Sequence, residues 1–179
     1  MPGRTPQQAR DAFLVPLRRA LSCVAAARLF APRGKEPGDI EALSLSEDPL
    51  RLHSARIGPL QFFIGHQYKL VQDGRHAWHV STVRYVYHLA DEEGRELIGW
   101  HWHPASSAYP HLHVPAEPIG RRMHVPTGRV SLESVIRFLL DDLEVPATRD
   151  RINDYAQVLN ECEAPFVQHR RWHAWKREP

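Results

Sequence analysis

The sequence predicts an α+β fold, an antiparallel meander sheet with an N-terminal helix and two C-terminal helices packed on one of its faces. Three observations carry that expectation. Apolar residues recur at three- and four-residue intervals before position 30, alternate with period two between about 40 and 115, and return to helical spacing over about 131–164. The 179 residues, 42% hydrophobic and 25% charged, suit one globular domain spanning 1–179.

The first element opens with Thr5-Pro6-Gln7-Gln8, a capping box in which Thr5 caps, Pro6 takes the first helical position and Gln8 reaches back. Phe13, Leu17, Ala20, Leu21, Val24 and Leu29 then mark a helix over about 6–30, with Pro16 as a kink or as the true start. Arg18 and Arg19 face outward. The run 31–38, rich in proline and glycine, reads as a loop. Strands follow at 60–71, 76–90 and 95–103, separated by the turn signals Asp73-Gly74 and Glu93-Gly94. Ser131 caps the next helix, whose stripe is Leu132, Val135, Ile136, Leu139, Leu140 and Leu143, and Pro146 ends it. A last helix starts near Thr148 with Ile152, Tyr155, Leu159 and Cys162 on one face. A basic tail, 168–179, interleaves Trp172 and Trp175 with Arg170, Arg171, Lys176 and Arg177, a pattern shared by nucleic-acid stacking surfaces and by solvated tails.

Composition narrows the function. The most apolar stretch, 12–31, carries Pro16, Arg18, Arg19 and Arg28, so no membrane partner is expected. The N-terminus lacks the pattern of a secretory signal, and Cys23 and Cys162 are too few for a disulfide framework, so a cytoplasmic protein with reduced core thiols is expected. The net charge of +2 announces no nucleic-acid partner by itself. Protonation of the 12 histidines would raise it, so anion binding, if present, strengthens in acid. Arginine, the better bidentate phosphate ligand, supplies 20 of the 23 basic residues, as a GC-biased genome also would.

The chemistry concentrates in Trp100-His101-Trp102-His103 and His111-Leu112-His113, with His124 beyond them. Five of the 12 histidines fall within positions 101–124, several times an even share. On strands, His101 and His103 project from one face and Trp100 and Trp102 from the other, as His111 and His113 do against Leu112 and Val114. If residues 104–110 let the two stretches pair, four imidazoles meet at one end of the sheet.

Two chemistries use such a wall. One is metal-independent phosphodiester cleavage, with His101, His103, His111 and His113 as candidate acid and base and Arg121, Arg122 and Arg129 as candidate phosphate contacts; it needs no cofactor. The other is zinc or another divalent transition metal held by the same histidines with Glu117 or His124. The spacing of His111, His113 and Glu117 resembles the first motif of a cupin, but Ala105 stands where that motif has glycine, and no second motif follows. A strand of histidine and tryptophan is also consistent with amphipathic pairs at a sheet edge. Tyr85, Tyr87 and His88 alternate nearby and are further candidates for the site, or for sheet packing.

Val83 to Leu89, with its paired tyrosines, then Gly94 to His103, and later His111-Leu112-His113, resemble the TumE-type toxins of bacterial toxin–antitoxin modules over about 82–144. The resemblance implies a compact sheet-and-helix toxin acting on RNA or translation, with an antitoxin partner, and it carries over His111 and His113 as its His-x-His element. The expected function is therefore a ribonuclease-like toxin acting on RNA, able to form a homo-oligomer. The alternatives are a metal-binding domain and a non-catalytic interaction module.

Overall fold

The computed structural model describes residues 3–34, 36–46, 48–105, 109–116 and 121–169, without the side chains of 116, 121, 122, 168 and 169. It is α+β, as expected: a helix, an eight-stranded antiparallel sheet, and two C-terminal helices.

Helix α1, Pro6–Leu21, starts where the capping box places it. The Gln8 amide N–H donates to Thr5 Oγ1 at 3.2 Å, and Gln8 Oε1 accepts from the Arg4 amide at 2.9 Å, one residue earlier than the usual reciprocal bond. Pro16 lies inside the helix and does not begin it. The helix is shorter than the apolar spacing suggested. It ends at Leu21, and Leu29, expected on its face, belongs to strand β1, Leu29–Phe30.

Strands β2 (Glu41–Leu45), β3 (Leu50–Ser54), β4 (Gly58–Gln72), β5 (Trp78–Ala90), β6 (Glu96–Trp102), β7 (His111–Ala116) and β8 (Arg121–Pro126) complete the sheet. Their order is β1-β2-β4-β5-β6-β7-β8, with β3 paired on β4. The two expected turns form. Asp73 Oδ1 accepts from the amides of Arg75 and Ala77, both at 2.9 Å, and Gly94 takes the positive φ of 80° that its turn requires. The sheet runs past the expected limit near 115, because β8 pairs with β7 in full register, His113 opposite His124.

One face of the sheet holds the core. Phe62, Ile64, Tyr85, Tyr87 and Leu89 are buried there with the apolar sides of the helices, and Trp100 packs edge-on against Phe138 at 5.5 Å. Helix α2, Leu132–Arg137, is capped by Ser131 and runs on as a π-helical turn, Phe138–Asp142. Helix α3 is Tyr155–His169. It begins later than Thr148, whose hydroxyl donates to the Ser22 carbonyl at 2.7 Å; residues 149–154 form turns and Ile152 is exposed. Inside the core, Glu41 Oε2 accepts from Arg10 Nε at 2.8 Å and from the Tyr68 hydroxyl at 2.6 Å. Cys23 and Cys162 are free and buried. Among the described residues, no helix is long and apolar enough to cross a membrane.

Candidate metal centre

Strand alternation puts every second residue of β5 to β8 on the face away from the helices. Cross-strand register then aligns histidines: His88 lies opposite Gly99, Gly99 opposite His113, His101 opposite His111, and His113 opposite His124. The stretches around 101 and 111 do pair, as the imidazole wall requires. Ring centroids of His101 and His113 are 3.8 Å apart, those of His113 and His124 4.3 Å, and those of His111 and His124 5.0 Å. His103, just past the end of β6, meets His101 edge-on at 5.6 Å.

Near the middle of the wall, His111 Nε2 and His113 Nε2 are 3.1 Å apart. His111 Nδ1 lies 3.0 Å from the Tyr109 carbonyl, which can only accept, so His111 carries its proton on Nδ1 and turns the Nε2 lone pair inward. That lone pair can accept a hydrogen bond from His113 Nε2–H across the 3.1 Å contact, or be offered together with His113 Nε2 to a cation. His113 Nδ1 lies 3.4 Å from Glu96 Oε1, an ion-pair distance without a hydrogen bond between the two atoms. His111 and His113 are buried, at 7% and 8% exposure.

His101 completes the group. Its ring lies over Gly99, and its Nε2 is buried with no hydrogen-bond partner among the described residues. Burial, and then the imidazoles of His113, His103 and His111, push it down to about 3, so it is neutral near pH 7. Burial also lowers His103, with Arg84 and His111 adding to the shift. One ligand atom each from His101, His111 and His113 lie mutually within 4.8 Å, as do one each from His88, Glu96 and His101.

Not every expected residue joins the wall. Arg129 stacks its guanidinium 3.7 Å from the Trp102 ring centroid, on the opposite face of β6 from His101. Tyr85 and Tyr87 are buried on the helix side, where the Tyr87 hydroxyl lies 2.7 Å from His66 Nδ1. Of the three candidates on β5, only His88 faces the wall, stacked on Phe63 at 4.2 Å. Glu117, the tail 170–179 and the side chains of Arg121 and Arg122 lie outside the described residues.

Glu96 was missed. Leu89 pairs with Ile98 and Ala90 with Glu96, so Leu97 is an extra residue in β6, and this bulge turns Glu96 onto the histidine face against simple alternation. Only Glu96's place two residues after the Gly94 turn hinted at an irregular strand end.

Comparison with protein-family models, with curated proteins and with solved structures finds no match to this chain.

Proposed function

We propose that this chain is a histidine-ligated metalloprotein that binds a divalent transition ion, zinc foremost, through His101, His111 and His113. The observation that carries the reading is the 3.1 Å approach of His111 Nε2 and His113 Nε2, with a ligand atom of His101 within 4.8 Å of one on each of them and with the other His111 nitrogen held by the Tyr109 carbonyl. Zinc–nitrogen bonds of about 2.0–2.1 Å set the edge of a tetrahedron at roughly 3.3 Å, so these two nitrogens already stand at ligand spacing. His101 supplies the third nitrogen after a small ring adjustment. Glu96 behind His113 is the carboxylate that orients a ligating imidazole and raises its basicity. Three neutral imidazoles leave a fourth position for water or substrate, the arrangement of catalytic rather than structural zinc. His124, at the exposed rim beside His111 and His113, stands next to that position. Free Cys23 and Cys162 support a reducing, cytoplasmic setting.

The test is elemental analysis of the purified, untagged chain beside a His111→Ala/His113→Ala double variant, with circular dichroism as the folding control. Near-stoichiometric metal in the wild type and its loss in the folded double variant is the expected result. A folded wild type that takes up no ion even from excess Zn²⁺ refutes the reading.

A second reading keeps the RNA-directed toxin, with its antitoxin partner, in view. It is favoured by the same close imidazole pair, able to serve as acid and base, and by Arg84, exposed and near enough to His103 to lower its pKa. RNA cleavage that survives a chelator with a bell-shaped pH profile would support it over the metal reading; cleavage abolished by the chelator would join the two.

A further inference from the structure

The wall holds a second group of potential ligands, His88, Glu96 and His101, of which the His101–His111–His113 site takes only His101. His88 and Glu96 come from the neighbouring hairpin, β5 and β6, and the Leu97 bulge is what brings Glu96 to this face. His88 is held by its stack on Phe63. A Cβ on Gly99 would stand 2.8 Å from His101 Nε2 and 3.4 Å from His88 Cβ, so the bare glycine is the floor on which the two imidazoles approach. His101 Nε2, buried and without a hydrogen-bond partner among the described residues, is the atom turned toward that floor.

We propose that His88, Glu96 and His101 form a second divalent-metal position, joined to the first through His101. It shares one residue with the His101–His111–His113 site and rests on that reading only for the bridge. Two imidazoles and one carboxylate differ chemically from three imidazoles. They are the donor set of the two-histidine, one-carboxylate triad, which accepts iron and manganese as well as zinc and leaves coordination positions open. With both positions filled, His101 ligates one ion through each ring nitrogen, which requires its ring proton to leave to solvent. One carboxylate then partly balances two divalent charges, and the open positions on each ion favour anionic or water-derived ligands.

The experiment is a Zn²⁺ titration of the full chain by calorimetry and by competition with a chromophoric chelator, run on the wild type, Glu96→Gln, His88→Ala and the His111→Ala/His113→Ala double variant. Two ions per wild-type chain, falling to one in His88→Ala and in Glu96→Gln, is the expected result. His88→Ala separates loss of this position from loss of Glu96 behind His113, and it carries the test if Glu96→Gln does not fold. One ion per wild-type chain, unaffected by His88→Ala and lost in the double variant, overturns the second position while leaving the first. Two ions retained in His88→Ala overturns it as well. One ion lost in His88→Ala but kept in the double variant supports this position and overturns the other, and no binding at all overturns both.

Discussion

Replacing Gly99 with alanine should disable metal binding while sparing the fold. Gly99 is buried in the middle of β6, and an added Cβ would come within 2.8 Å of His101 Nε2 and 3.3 Å of its Cδ2. Contacts that short do not persist, so something must move. The atoms in the way are the far edge of an imidazole on rotatable bonds, which can swing aside at little cost to the sheet; losing glycine's unfolded-state freedom even stabilises by about 0.4–1 kcal/mol. What swings aside, however, is the proposed ligand. Disturbing the groups that merely orient a ligand costs 10–100-fold in metal affinity, or about 1.4–2.7 kcal/mol, and displacing the ligand itself should cost at least as much. Zn²⁺ affinity, measured by chelator competition, should therefore fall by at least about tenfold, while the urea midpoint moves by the equivalent of less than about 1 kcal/mol. Gly65→Ala is the matched control, because its Cβ would meet nothing closer than the Val86 carbonyl oxygen at 3.8 Å. A folded Gly99→Ala variant that binds Zn²⁺ within about threefold of wild type, below half a decade in free energy, would refute the role assigned to His101.

Three further outcomes concern the helix side of the sheet. Burial, with a smaller effect from Arg129, holds His66 down at about 4 against 6.5 when unfolded, so the unfolded chain binds the extra proton; stability is full above about pH 6.5 and falls by ~3 kcal/mol as pH drops to about 4. The slope of unfolding free energy over that window should flatten in His66→Asn. Burial raises Glu133 from 4.5 to about 7, which has the opposite sign, since ionisation favours the unfolded chain as pH climbs. Glu133→Gln should gain up to ~3 kcal/mol at pH 8 and almost nothing at pH 4 in paired urea titrations; equal gains at both pH values would contradict the buried, unpaired carboxyl. Glu41→Gln strips the buried Arg10 and the Tyr68 hydroxyl of a shared charged acceptor and should cost about 3–5 kcal/mol in denaturant unfolding.

The histidine wall was legible in the sequence because it depends on alternation alone. Once His101 and His111 sit on neighbouring antiparallel strands, His113 follows from the two-residue period, whereas His124 joins only through β8. Caps at Thr5 and Ser131 were equally local, each a side chain bonding an amide three residues on. What escaped depended on distant partners. Thr148 has the chemistry of a cap, yet the Ser22 carbonyl, brought close only by the folded core, takes its hydroxyl. Strand β8 needed β7 beside it before Pro126 and the residues ahead of it read as an edge. Glu96 needed a bulge, and a single extra residue in a ladder leaves no periodic trace because it breaks the period that would reveal it. Arg129 was grouped with the histidines by nearness in sequence; Trp102, one residue from His101, points the other way and takes the guanidinium with it.

On the helix side of the sheet, His66 sits between the Tyr87 and Thr82 hydroxyls, and Tyr85 accepts from the Val130 amide. On the other side, His101 Nε2 is buried without a hydrogen bond among the described residues, while His111 Nε2 and His113 Nε2 share one contact at 3.1 Å. A buried polar atom left unpaired costs about 1–3 kcal/mol, and leucine or valine at the same positions would remove that cost and suit a strand better. An ion bound at 100 times its dissociation constant returns about 2.7 kcal/mol, enough to offset one such atom fully. On the proposed reading, a bound cation supplies the partner that His101 Nε2 lacks among the described residues, so the chelator-stripped chain should unfold at lower urea than the Zn²⁺-loaded chain, and equal midpoints would count against a ligand role for that atom.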